Sequence, residues 1–219
     1  TVLTADRPGV LSLIAGALAV HHVSILGGAA YGSDDRVAID VLYVRDGLGR
    51  AIDEERWSRV QTAMRLALAG EFPMDERLAE TIHAYRDTPR SLTPTRVQID
   101  NSGSERYTIV EVTAADRIGL LYSIANALHG LGIDIHLAKV DTQGSEVVDA
   151  FYVLNEAGQQ INALDEAERV RAGVVEAVAA LDRPQGSPPR PDRADRQHGD
   201  QHEGIPRRGA HLAAQGVIP

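Results

Sequence analysis

Two hexapeptides hold the side chains best placed for chemistry. Asp6-Arg7-Pro8-Gly9-Val10-Leu11 returns as Asp116-Arg117-Ile118-Gly119-Leu120-Leu121. Each sets a carboxylate ahead of an apolar run with helical spacing, and an Asp there is expected to cap the helix by accepting a first-turn N–H. A helix start of this kind can also receive a small anion, and a glycine within it lets a ligand approach the backbone closely. Other chemistries find less support. His21-His22 fall at a helix–strand turn and read as exposed, and His136 reads as sharing a strand face with Asp134. His198 and His202 stand four apart in a Gly-containing stretch, and no His-Glu-x-x-His occurs. No Gly-x-Ser-x-Gly elbow supports a serine nucleophile. The chain has no cysteine, which excludes disulfides, thiolate metal sites and a Cys nucleophile. A formal charge of −9 is repelled by phosphate backbones and weighs against a nucleic-acid partner. No segment reaches the roughly 18 apolar residues of a membrane span. With 43% hydrophobic but only 4% aromatic residues, the core is expected to be Val, Ile, Leu and Ala.

The hexapeptides belong to a repeat offset by 110. Asp6–Ile25 and Asp116–Ile135 share 9 identities in 20 positions. After one deletion, Val37–Val44 aligns with Val147–Val153, pairing Asp40 with Asp149 and Tyr43 with Tyr152. Period-2 alternation over Tyr107–Thr113, Gly132–Leu137 and Val147–Leu154 predicts three strands. Helical spacing of Leu121, Ile124, Ala125 and Leu128 predicts a helix after Asp116 that Gly130 and Gly132 end, and a second helix over Ala163–Leu181, with Asp141–Ser145 as a turn. The first copy repeats the pattern: helices near Val10–Val20 and Asp53–Ala69, strands near Val23–Tyr31 and Val37–Arg45. The order β-α-β-β-α predicts an α+β fold of two ferredoxin-like (βαββαβ) units, the last strand being weak or missing. The expected divisions are a first domain over 1–70 with its first strand truncated, a linker over 71–103 with a short helix at Met74–Tyr85, a second domain over 104–181, and a disordered tail over 182–219. Val97–Ile99 reads as an extra strand added to the second domain. The tail is poor in apolar surface to offset ordering entropy. The chain opens on Thr1 inside a strand and reads as cut from something longer.

The paired Asp-Arg-x-Gly turns, the Ile-x-Ile strand and the second copy's Ile135-His136-Leu137-Ala138-Lys139-Val140 and Val148-Asp149-Ala150-Phe151-Tyr152-Val153 resemble ACT domains. The tandem arrangement is most similar to the C-terminal pair in the family of bacterial PII uridylyltransferase/uridylyl-removing enzymes. The resemblance covers roughly 1–181.

That resemblance implies an amino-acid-sensing regulatory module of nitrogen regulation, with glutamine as the favoured ligand, PII protein as partner through the parent enzyme, and a cytoplasmic location. It implies ligand contacts from Asp6, Gly9, Val10 and Ser24 in one copy and from Asp116, Gly119, Leu120 and Asp134 in the other. In such domains the ligand lies between the first loop–helix junction of one copy and the second strand of another. The second copy has acidic residues at both polar positions, Asp116 and Asp134, and reads as the better site. The nucleotidyltransferase and hydrolase parts of the parent, which would need Mg, precede the ACT pair, so no catalysis is expected of this chain. The alternative is a ligand-free module for ACT–ACT self-association or protein docking.

Overall fold

The computed structural model describes residues 1–32, 36–46, 51–85 and 93–183. In chain order the elements are β1 (Val2–Ala5), α1 (Val10–Val20), β2 (Val23–Gly32), β3 (Val37–Asp46), α2 (Glu54–Ala69), α3 (Met74–Ala84), β4 (Arg96–Asp100), β5 (Thr108–Ala115), α4 (Leu120–Gly130), β6 (Asp134–Gln143), β7 (Glu146–Leu154) and α5 (Leu164–Ala180). The seven strands make one sheet in the order β1-β3-β2-β6-β7-β5-β4, and every neighbouring pair is antiparallel. The fold is α+β and compatible with the ferredoxin-like order. Neither β-α-β-β-α run ends in a further strand among the described residues. The edge beside β5 is held instead by β4, which comes before it in the chain. After α2 the chain turns at Gly70 into α3 rather than into a strand.

The two runs join through their equivalent strands. β2 pairs with β6 about the register Ala29↔Lys139, from Gly27↔Asp141 to Tyr31↔Leu137. Both strands bulge at the same repeat position, between Ile25 and Gly27 and between Ile135 and Leu137. Strand side chains alternate between faces. Val110, Val112, Ala138, Val140, Val147, Phe151 and Val153 turn into the core beneath the helices, with Ile124, Leu128, Val170 and Val174 above them. A smaller cluster gathers Val10, Ile14, Leu18, Ala38 and Val60. The opposite alternation leaves Leu3, Tyr31, Ile39 and Tyr43 exposed on the other face.

Three readings of the chain are corrected here. Asp6 and Asp116 do not cap α1 and α4. The N-cap residues are Gly9 (φ 85°) and Gly119 (φ 81°), left-handed and without a side-chain cap. A tight turn ahead of each helix, with the Val10 N–H on the Arg7 carbonyl and the Leu120 N–H on the Arg117 carbonyl (both 3.2 Å), sets the aspartates outside the helix start. β6 runs on to Gln143, so the Asp141–Ser145 turn shrinks to Gly144 and Ser145: Thr142 and Gln143 pair with Val147 and Glu146. His21 and His22 are half-buried rather than exposed, and the Tyr85 ring lies 5.2 Å from that of His22. His198, His202, most of the expected tail (184–219) and part of the linker (86–92) lie outside the described residues.

Candidate functional site

Because β2 and β6 run antiparallel side by side, each repeat brings its helix start to the second strand of the other. Two cavities result. The larger, about 260 Å³, sets Asp116, Gly119 and Leu120 against Ser24, with Ala15 and Ala19 of α1 on one wall and Ile82 and Tyr85 of α3 on another. The smaller, about 30 Å³, sets Asp6, Gly9 and Val10 against Asp134, with Ala125 and His129 of α4 in the places of Ala15 and Ala19. The eight residues singled out in the sequence therefore divide four and four between the cavities. Asp116 and Asp134, although in one repeat, are not in one cavity. The polar position across from Asp116 is the uncharged Ser24, and Asp134 faces Asp6.

One exchange of residues runs parallel to the difference in size. Repeat position 19/129 is Ala in the larger cavity and His in the smaller. A Cβ built on Gly9 would stand 3.1 Å from the His129 ring, so that ring lies directly against the helix start. The Asp6 carboxylate lies against Gly32, filling more of the same space. About 30 Å³ holds a water or two. The larger cavity is near the lower limit of small-molecule sites.

α3 has no repeat counterpart among the described residues and roofs the larger cavity. Leu78 and Ile82 lie over Gly119, where an added Cβ would stand 3.3 Å from Leu78 Cδ1. The Tyr122 hydroxyl of α4 donates to the Asp75 carboxylate of α3. Below, the Thr142 hydroxyl of β6 donates to the Ile25 carbonyl of β2 at 3.1 Å, tying the two repeats together at the floor. Gly119→Ala should lower stability by about 1–2 kcal/mol through the left-handed φ alone, read as a shift in urea midpoint. No loss would mean that the loop relaxes freely.

The charges of the larger cavity are Asp116, Arg117 and Asp149. Arg117 is engaged by Asp182 at 2.5 Å. Asp116 lies at the rim, where loss of solvation raises its pKa against the opposing pull of Arg45 and Arg117. Arg45 stands beside Ser24 in the β2–β3 register. Asp149 of β7 is 1% exposed. Its Oδ1 accepts the Asp141 N–H at 3.3 Å, and its Oδ2 has no partner. Burial first, and then the neighbouring Asp116 and Asp141 charges, push its pKa up to about 7. Asp40 repeats the arrangement in the smaller cavity. It is buried, its Oδ2 is unpartnered, and burial and then the Asp6 charge raise its pKa to about 6. Asp6 is itself raised, by burial and then by Asp134.

Asp40 and Asp149 are the residues the sequence reading paired in the repeat without assigning them to a site. The signal was present: Val147, Asp149, Phe151 and Val153 alternate on one face of β7, so Asp149 had to point inward with its apolar neighbours. Chemically, the larger cavity holds in one lining a helix start, whose first N–H groups lack intrahelical acceptors, and two carboxylates, Asp116 and Asp149. Such a cavity suits a small molecule that carries an anion and a cation together. His136 Nε2 lies 3.4 Å from Asp134 Oδ2, the expected shared face. No group of three or more His, Cys, Asp or Glu residues suited to a metal ion occurs among the described residues. No described helix is long and apolar enough to cross a membrane.

No family model matches the chain. It is similar to curated bifunctional uridylyltransferase/uridylyl-removing enzymes. It is 35% identical to that of Rhodospirillum rubrum over 179 residues, which are 81% of this chain and 19% of that protein. It is 37% identical to that of Gluconobacter oxydans over 166 residues, 74% of this chain and 17% of that protein. It is 31% identical to that of Azospirillum brasilense over 183 residues, 82% and 20% respectively. The chain thus spans about a fifth of the length of the curated relatives it matches.

Proposed function

We propose, from its resemblance to one segment of the bifunctional uridylyltransferase/uridylyl-removing enzymes, that this chain is the amino-acid-sensing regulatory part of such an enzyme. It is built as two ACT domains, over 1–70 and 104–181, joined by 71–103. Glutamine is the ligand this reading favours, and Asp116, Gly119, Leu120 and Ser24 are its contacts. Catalysis, its Mg requirement and the modification of PII protein in the cytoplasm belong to the remaining four fifths of the parent. This chain would bias those activities through the packing of its two domains, and a ligand shifts such an equilibrium only by its differential affinity for the two states.

The observation that carries this reading is the larger cavity, where a helix start from one repeat meets the second strand of the other. The ligand's carboxylate would lie against the first turn of α4, where the helix dipole is positive. Gly119 leaves that turn uncovered by a side chain of its own. The roughly 30 Å³ left around Asp6, Gly9, Val10 and Asp134 is too little for an amino acid, so the reading is one ligand per chain.

The test is thermal unfolding against a panel of millimolar amino acids. Glutamine at a hundred times its Kd should stabilise the chain by about 2.7 kcal/mol through binding the native state alone, a rise of several degrees in Tm. A flat panel with normal cooperative unfolding would sink the sensor reading. The chain would then stand as an interaction module, for self-association or docking through the face that exposes Leu3 and Tyr43.

A further inference from the structure

We propose that Asp149, deep in the larger cavity, receives the ligand's ammonium and makes an α-amino acid, rather than a plain carboxylate, the molecule the cavity takes. The proposal rests on the amino-acid reading above and adds to it a residue, a contact and a proton. Three observations support it. Asp149 is 1% exposed, lines the cavity and leaves Oδ2 without a partner. A buried, unsatisfied carboxylate oxygen is costly unless something arrives to bond it. The cation lining the site, Arg117, pairs with Asp182 at 2.5 Å and not with Asp149, which leaves Asp149 Oδ2 open to a cation brought by the ligand. Asp116 faces the same space from the loop after β5, so an ammonium there would be bound by two carboxylates while the ligand's own carboxylate turns to the α4 start.

The charged groups around Asp149 set how the site responds to pH. Asp141 on β6 and Asp116 in the loop oppose its ionisation, while the Asp141 N–H favours it. Arg117 is held by Asp182 near the end of α5, and Arg45 on β3 acts on Asp116. In the empty cavity Asp149 therefore holds its proton up to about pH 7. An arriving ammonium favours the carboxylate, so binding expels that proton, and affinity rises with pH while the ligand amine stays charged. One proton linked in this way gives about a tenfold gain in affinity between pH 6 and pH 8.

The experiment is calorimetric titration of the chain with L-glutamine and with glutaramate, the same molecule lacking its ammonium, at pH 6 and pH 8. In the wild type, glutamine should bind about tenfold more tightly at pH 8, with proton release at pH 6 read from buffers of different ionisation enthalpy. Glutaramate should not bind measurably. Asp149→Asn keeps the shape and the oxygen that accepts the Asp141 N–H. It should lose tenfold or more in glutamine affinity, lose the pH dependence, and remain cooperatively folded by urea unfolding. Glutamine binding unchanged in Asp149→Asn, or glutaramate binding the wild type as well as glutamine does, would overturn the role of Asp149 and leave the sensor standing. If neither glutamine nor any other amino acid of the panel binds the wild type at millimolar concentration, the sensor reading falls, and this proposal with it.

Discussion

Without ligand, the wild type should lose stability relative to Asp149→Asn as pH rises from 4 to 8, by on the order of 4 kcal/mol in total. An ordinary Asp has a pKa of 3.8, and in the folded chain Asp149 reaches about 7. Between those values the native state holds a proton that the unfolded state has released. Stability therefore falls as pH rises through that window, because its slope follows the protons bound by the unfolded state minus those bound by the native state. The contribution is complete below pH 3.8 and lost above pH 7, where the native carboxylate is ionised while only 1% exposed. At about 1.36 kcal/mol per pH unit, a rise from 3.8 to about 7 gives the figure above. Asp40, raised to about 6, adds a smaller loss of the same sign. Burial lowers the pKa of His21 and His22, which works the other way below pH 6.5. The difference between wild type and Asp149→Asn cancels both effects. Urea unfolding of the two proteins at pH 5 and pH 8 is the measurement. A gap that does not widen with pH would mean that Asp149 is already compensated in the folded chain. Domains are stable by only about 5–15 kcal/mol, so a loss of this size is a large share of the total.

The parts of the fold that were legible are those whose signal is local. α1 begins and ends where the apolar spacing does, at Val10 and Val20. The short helix before the second repeat, Met74–Ala84, and the extra strand, Arg96–Asp100, also appear within a residue or two of their expected bounds. What was not legible depended on partners far along the chain. Asp141, Thr142 and Gln143 have turn chemistry by type, but Thr142 is held in β6 by Val147 and by the Ile25 carbonyl of the other repeat. The aspartates looked like caps because Asp caps helices in general, yet the glycine three residues on took the N-cap position in both copies.

The candidate site was half legible. The eight residues, like the crossing of a helix start from one copy with a second strand of another, came from the ACT resemblance. Which acidic residue faces which could not be read from either repeat alone, because β2–β6 pairing exchanges the second strands. The inequality of the two cavities was present in the alignment as Ala19 opposite His129. Its meaning appears only when each residue is seen to line the cavity of the other copy's helix.

That exchange depends on β2 lying close against both of its neighbours, and Gly28→Ala should be the most damaging Gly→Ala substitution among the described glycines. Gly28 pairs with Leu42 on one side and Val140 on the other. Its φ is 147°, in a region open essentially to glycine. A Cβ there would stand 2.2 Å from the Val41 carbonyl oxygen and 2.9 Å from Leu42 Cα. Both obstacles are backbone, so no rotamer change relieves them, and β3 would have to move away from β2. Strain and overpacking together should cost roughly 3–5 kcal/mol. Gly70→Ala is the control: its φ of 76° is also left-handed, but nothing stands within 4 Å of the added carbon, so it should show the conformational cost alone, about 1 kcal/mol. Urea unfolding of the two variants separates the effects. If Gly28→Ala loses no more than Gly70→Ala, β2 does not run this close to β3. If the larger loss is found, and the surviving folded fraction also loses glutamine binding, then the closeness of the central strands and the meeting of Ser24 with Gly119 are one property. The cavity exists only where two repeats share a sheet.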